Sequence, residues 1–380
     1  MSIYVIRNPT VYDIQKEAWV IKDVWIDGNF FSDKRNIQTD EQNIKVIDAS
    51  GKILLPGIVD LHNDEFEKIF SPKRNVFFLG SDLLDKLMLG YYANGITSAN
   101  IAVSYSIEPG IRNADKAITI LQEIKEYKKK FRFHSNLKVN LRVEMSADWS
   151  NLFNVIDQYL EEIAIVTLCD HSPNNMQNWS IHKYNRYISE RSKMTNSEFT
   201  SLITQIELNK KKNSNSIHAL LCELKKKKIV VGIHDMCCTT EYDANIDFGE
   251  FPTSTELIDY LHKENKYVVL GTPNIRNGGS INNNISCLDA CKHDKCDILC
   301  SDYDRNSVLP SVSILNPALD TGFYKCFKRL SENPARLLGI KKGVISPGYD
   351  ADCILINRDF INPHICKTFV MGELAYESFF

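Results

Sequence analysis

The chain has 380 residues, 43% hydrophobic and 24% charged, with a formal net charge of −3. That is enough for one large globular domain with a small companion, and the charge balance excludes a dedicated nucleic-acid or membrane-surface binder. No apolar run reaches the roughly 18 residues of a membrane span. The opening Met1 to Thr10 lacks the basic start and apolar core of a signal peptide, so a cytoplasmic protein is expected, with no membrane partner. Eleven cysteines show no paired C-x-x-C spacing. Cys237 and Cys238 are adjacent, and Cys291 and Cys296 flank His293. All read as reduced thiols, mostly core filler. Lysine tracts at 128–130, 210–212 and 225–228 border expected helices and read as solvated faces or ends.

In chain order, residues 3–6, 18–26 and 43–48 look like short strands divided by turns such as Asp27-Gly28-Asn29. They lead into an apolar run at 53–61, read as one strand. Helices are expected at 81–94, with Ser81 as N-cap, and at 113–129, 152–162 and 254–265. Further buried strands are expected at 95–103, 137–144, 163–169, 229–233, 246–251, 267–271 and 297–301. A polar, mostly helical insertion occupies 174–228. Eight apolar strands with mostly helical links predict α/β class, a parallel (β/α)8 barrel of TIM type.

In such a barrel all strands end at one mouth, where active sites lie. His62 and Asp64 are two residues apart at the end of the first strand and so project together. His171 and His234 also follow apolar runs directly, and Glu144, Glu250 and Asp302 close three more strands. Singly, each fits a hydrogen-bonded loop residue or a helix N-cap. Their recurrence at strand ends points to a divalent metal site, with His62, Asp64, Glu144, His171, His234 and Asp302 as ligands. Imidazoles and carboxylates without cysteine suit Zn²⁺, with Mn²⁺ or Fe²⁺ as alternatives, as one or two ions. Asp302 would also serve as general base.

These residues resemble the amidohydrolase superfamily: Pro56-Gly57-Ile58-Val59-Asp60-Leu61-His62, the later strand-end histidines and the Asp closing the last strand. Asn333-Pro334-Ala335-Arg336-Leu337-Leu338-Gly339 and the Gly343 to Asp352 segment resemble its tail. That resemblance implies a small β-sandwich domain built from both chain ends, 1–55 with 343–380, beside a barrel at 56–342. Within the superfamily the chain is most similar to the α-D-ribose 1-methylphosphonate 5-triphosphate diphosphatase family of phosphonate catabolism. The likeness rests on His62-Asn63-Asp64 (His-x-Asp rather than His-x-His), Leu141-Arg142-Val143-Glu144, Asp170-His171-Ser172-Pro173, His234-Asp235, Glu250-Phe251-Pro252-Thr253 and Ser301-Asp302-Tyr303.

It implies a metal-dependent hydrolase that cleaves a phosphoanhydride and releases pyrophosphate from a phosphorylated small molecule. After the seventh strand, Gly271-Thr272-Pro273-Asn274-Ile275-Arg276-Asn277-Gly278-Gly279-Ser280 departs from the family's pattern. The Arg is displaced by one, and the family's His and third Gly are absent beyond it, leaving the substrate open. Glu250, Asn274, Arg276, Gly279, Ser280 and Arg74, with Lys73, are the expected substrate contacts, Gly279 and Ser280 as part of a phosphate-cradling loop. Arg74 and Lys73 fit surface charges equally well. The alternatives are an amidohydrolase acting on a C–N bond and a non-catalytic barrel. The oligomeric state, homo-oligomer included, is left open.

Overall fold

The computed structural model describes residues 2–34, 41–130, 136–173, 180–240, 243–280, 285–359 and 362–378. Residues 174–179 of the expected insertion and 281–284 of the Gly-rich loop lie outside them. Eight parallel strands follow one another around a barrel in chain order: Ile58–Asn63, Ile96–Tyr105, Leu137–Glu144, Ile163–Cys169, Val230–His234, Phe248–Glu250, Tyr267–Gly271 and Ile298–Cys300. Four are buried along their whole length and the others at all but one residue, because helices cover the outer face and side chains fill the inside. Leu61, Ile165, Phe248, Val269, Ile298 and Cys300 pack in the interior cluster. The first and last strands meet through a parallel bridge between Asn63 and Asp302. The Asp302 amide donates to the His62 carbonyl at 2.9 Å and the Asp64 amide to the Asp302 carbonyl at 3.1 Å.

The apolar run at 53–61 is two strands rather than one. Ile53–Pro56 belongs to a separate six-stranded sheet, and the barrel strand begins at Ile58. Gly57 makes the crossing. Its amide donates to the Asp352 carbonyl at 2.9 Å, and a β-carbon there would stand 2.1 Å from Thr97 Oγ1.

Both chain ends build the additional sheets. The six-stranded one runs Glu373–Glu377, Ile365–Val370, Cys353–Ile356, Ile53–Pro56, Thr10–Asp13, Ala18–Ile21. The four-stranded one runs Phe30–Ser32, Val24–Asp27, Ile3–Arg7, Ile44–Asp48. Tyr4, Ile6 and Ile26 from one pack with Leu54, Leu355 and Phe369 from the other. The expected strand at 18–26 is therefore broken, one half in each sheet.

The insertion is helical where described: Ile181–Arg191, Asn196–Ser214 and Ile217–Lys226. The middle helix opens with a reciprocal capping box between Thr195 and Glu198. From its buried face Asn209 donates to the Ser146 carbonyl, and Asn213 to those of Met145 and Ala147. Lys210 pairs with Asp170 at 2.8 Å. The insertion thus braces the turns that follow the third and fourth barrel strands. Among the described residues no helix is long and apolar enough to cross a membrane.

Candidate active site

His62, Asp64 and Asp302 meet at the seam of the barrel, with one donor atom of each within 4.8 Å of the others. The seam is fixed from below: Asp60 accepts from the Ser301 amide at 2.9 Å and from its hydroxyl at 2.5 Å. Asn63 donates to that hydroxyl at 2.7 Å. The backbone turns sharply where strands end: Asp235, Phe251 and Asp302 all have left-handed φ, at 50°, 51° and 52°. For residues other than glycine this costs on the order of 1 kcal/mol each and persists only where the surroundings enforce it.

Behind the seam two carboxylates hold three imidazoles. Glu250, fully buried, accepts from His62 Nδ1 at 2.9 Å and His234 Nδ1 at 2.6 Å. Burial opposes ionisation of Glu250, but His62 and His234 hold its carboxyl far below the ordinary range. Glu144 accepts from His171 Nδ1 at 2.5 Å and from its amide at 3.1 Å. It too ionises against burial, held near about 2 mainly by His171. With Nδ1–H committed to a carboxylate, each ring is left with Nε2 as its donor atom, the arrangement that orients metal-ligating histidines. Burial lowers His234. Burial also pulls His171 down, but Glu144 and Asp235 outweigh it and raise it to about 9. Burial, with Asp64 next, pushes Asp302 up to about 7.

Two arginines complete the mouth, and neither was among the expected site residues. Arg142, buried on the third barrel strand, places Nη2 3.0 Å from His234 Nε2 and 3.4 Å from His171 Nε2. Its Nε is buried with no hydrogen-bond partner. Arg112, from the loop after the second strand, pairs with Glu67 at 2.8 Å and lies 3.7 Å from Asp64. Arg142 sits two residues before Glu144, hence on the same strand face, and that parity is the signal that could have found it. Residue type and spacing give no comparable signal for Arg112.

The mouth opens into a cavity of about 280 Å³ lined by these groups together with Asn274, Ser280 and Tyr303. Five expected substrate contacts do not line this cavity. Glu250 is sealed beneath the histidines it holds. Arg276 is half-exposed and pairs with Asp304 at 3.4 Å. Arg74, with Lys73, lines a separate surface depression. Gly279 cannot offer its amide as part of a phosphate cradle, because that amide donates to the Asn274 carbonyl at 3.0 Å. The reason is local: Thr272–Arg276 forms a helical turn with Pro273 at its start, and the glycines complete the turn's end.

No family model matches the chain. The chain is 26% identical over 345 residues to α-D-ribose 1-methylphosphonate 5-triphosphate diphosphatase of Escherichia coli (strain K12), covering 87% of this chain and 90% of that protein. A solved amidohydrolase structure superposes with a TM-score of 0.61 at 12% identity over the full length of both chains. The chain shares the fold of solved amidohydrolases and is similar in sequence to the E. coli diphosphatase. N-acetylglucosamine-6-phosphate deacetylase from Pasteurella multocida shares the fold, with a TM-score of 0.60 at 15% identity over 99% of this chain and all of that one.

His62 and Asp64 stand together at the end of the first barrel strand. The donors fit a divalent ion. His62, Asp64 and Asp302 offer only imidazole nitrogen and carboxylate oxygen, and the Nδ1–H of His62 is already held by Glu250. His171, His234 and Asp235 form a neighbouring cluster of donors, and there the Arg142 guanidinium lies against both Nε2 atoms.

Proposed function

We propose that this chain is a cytoplasmic, metal-dependent hydrolase of a phosphoanhydride. It would release pyrophosphate from α-D-ribose 1-methylphosphonate 5-triphosphate or a related sugar triphosphate in phosphonate catabolism. One observation carries the reading: two guanidinium groups, Arg142 and Arg112, line the same cavity as His62, Asp64 and Asp302. A guanidinium fork matches phosphoryl oxygens. The likeness to the E. coli diphosphatase supports the same substrate class.

His62, Asp64 and Asp302 would hold one ion, zinc by preference with manganese or iron as alternatives, and His171 and His234 would hold a second where Arg142 yields. Such an ion, when bound, supplies a lowered water pKa and a polarised phosphoryl oxygen. The remaining roles fall to the protein. Arg142 binds the non-bridging oxygens of the phosphoryl group under attack, and Arg112 positions the polyphosphate. Asp302 takes a proton from the attacking water at its carboxylate, which burial tunes toward neutrality. As the new P–O bond forms, the bond to the leaving pyrophosphate breaks. Asn274 and Ser280, on the cavity wall, contact the sugar side.

The test is to incubate the zinc- or manganese-loaded protein with a ribose or nucleoside triphosphate and measure pyrophosphate. Release is expected, and Asp302→Asn should lose at least about 100-fold in kcat with an unchanged circular dichroism spectrum. Asparagine tolerates the left-handed backbone that position 302 requires. Release of ammonia or acetate from amide substrates, without pyrophosphate from any triphosphate, would replace this reading with C–N hydrolysis.

A further inference from the structure

A second cluster of metal-type side chains lies outside the mouth. Cys287 and Cys291 are four residues apart on the helix Cys287–Lys292 and share one face. Cys296 precedes the last barrel strand, Ile298–Cys300. The three sulfurs lie within 4.8 Å of one another, and all three residues are at least nine-tenths buried. Arg329, buried to the same degree, lies against them. Its Nε donates to the Cys296 carbonyl at 2.8 Å and its Nη2 to the Cys291 carbonyl at 3.3 Å. Asp294, on the solvent side, shares that guanidinium at 2.8 Å.

We propose that Cys287, Cys291 and Cys296 form a binding site for a thiophilic divalent ion of the zinc class, separate from the barrel mouth. Donors that are all sulfur select soft or borderline ions. Three thiolates and a divalent cation leave one negative charge, which the buried Arg329 guanidinium offsets. A disulfide would use two of the sulfurs and leave the third idle. The Cys296 thiol donates to the Ile298 carbonyl at 3.3 Å, and that proton leaves on metal binding. Cys296 lies six residues before Asp302, roughly 20 Å of extended chain, so the ion would stabilise the fold and stand clear of the chemistry.

Cadmium reports on the site, because cadmium–thiolate charge transfer absorbs in the ultraviolet where imidazole and carboxylate complexes do not. Titrating the reduced protein with Cd²⁺ should give one saturable equivalent of this absorption. It should disappear in Cys291→Ser and persist in Cys237→Ser/Cys238→Ser and in Cys169→Ser. Cadmium NMR of the wild-type protein should show one resonance in the range of several-sulfur coordination, a readout that needs no variant to fold. Absence of that resonance, or a charge-transfer band that survives Cys291→Ser, would overturn the proposal. So would a band lost in either control variant.

Discussion

Arg142 is a buried cation on a barrel strand whose alternate residues, Leu137, Val139, Leu141 and Val143, are apolar core, so substitutions there separate charge from volume. Arg142→Met keeps most of the length and removes the fork. We expect a loss of about 10- to 100-fold in kcat/KM toward a triphosphate, the size of one or two charge-assisted hydrogen bonds. Arg142→Lys should recover little, since a point charge lacks the paired geometry. Steady-state kinetics check both.

His171 gives a pH signature in protein stripped of metal. Its folded pKa, about 9, exceeds the ordinary 6.5. The stabilisation from its pairing with Glu144 is therefore complete below pH 6.5 and is lost as pH rises through 9. The melting temperature should fall across that window, and His171→Gln should lack the fall. At this scale the sequence identified the strand ends but not the roles. A strand-end carboxylate alternates identically whether it ligates an ion or, like Glu144 and Glu250, steadies a histidine. Arg142 stayed hidden because only terminal positions on each strand were weighed.

The elements were legible where burial is uniform. Barrel strands enclosed on both faces appear as unbroken apolar runs, and the helices between them carry their own periodicity. The same uniformity concealed the break at Gly57: both Ile53–Pro56 and Ile58–Asn63 are buried, so nothing in residue type marks where one sheet yields to another. Gly57→Ala tests that crossing. Its β-carbon would meet Thr97 Oγ1 at 2.1 Å and Cγ2 at 2.6 Å, an overpacking worth about 1–3 kcal/mol. Denaturant midpoints should show that loss. Thr97→Ala in the same chain should recover part of it, since it removes both atoms. The turn at Thr272–Arg276 was missed for a different reason. Glycines beyond it suggested an open loop, whereas they finish a helical turn.

At the scale of the molecule, the two ends of the chain are one structural unit. Ile53–Pro56 pairs with Cys353–Ile356 along its whole length, and Leu54 is buried between the sheets with Leu355 and Phe369. Ending the chain at residue 342 would expose that face and an unpaired strand edge. The expected outcome is insoluble protein, measured as the soluble fraction on expression, while an Asp302→Asn chain of full length stays soluble. This joining of the ends was legible only through the family resemblance, since no local pattern records which distant strand a strand will pair with.

The seam between Asn63 and Asp302 also sets a schedule. About 240 residues separate His62 from Asp302, and a ribosome adds roughly 5–20 residues per second. For some tens of seconds a nascent chain carries the first-strand imidazole and carboxylate with nothing to close over them. The same stitch that joins the last strand to the first supplies the third donor, so barrel closure and capture of the proposed ion would be a single event. A growing chain therefore cannot hold the complete three-donor site before the barrel that shields it exists.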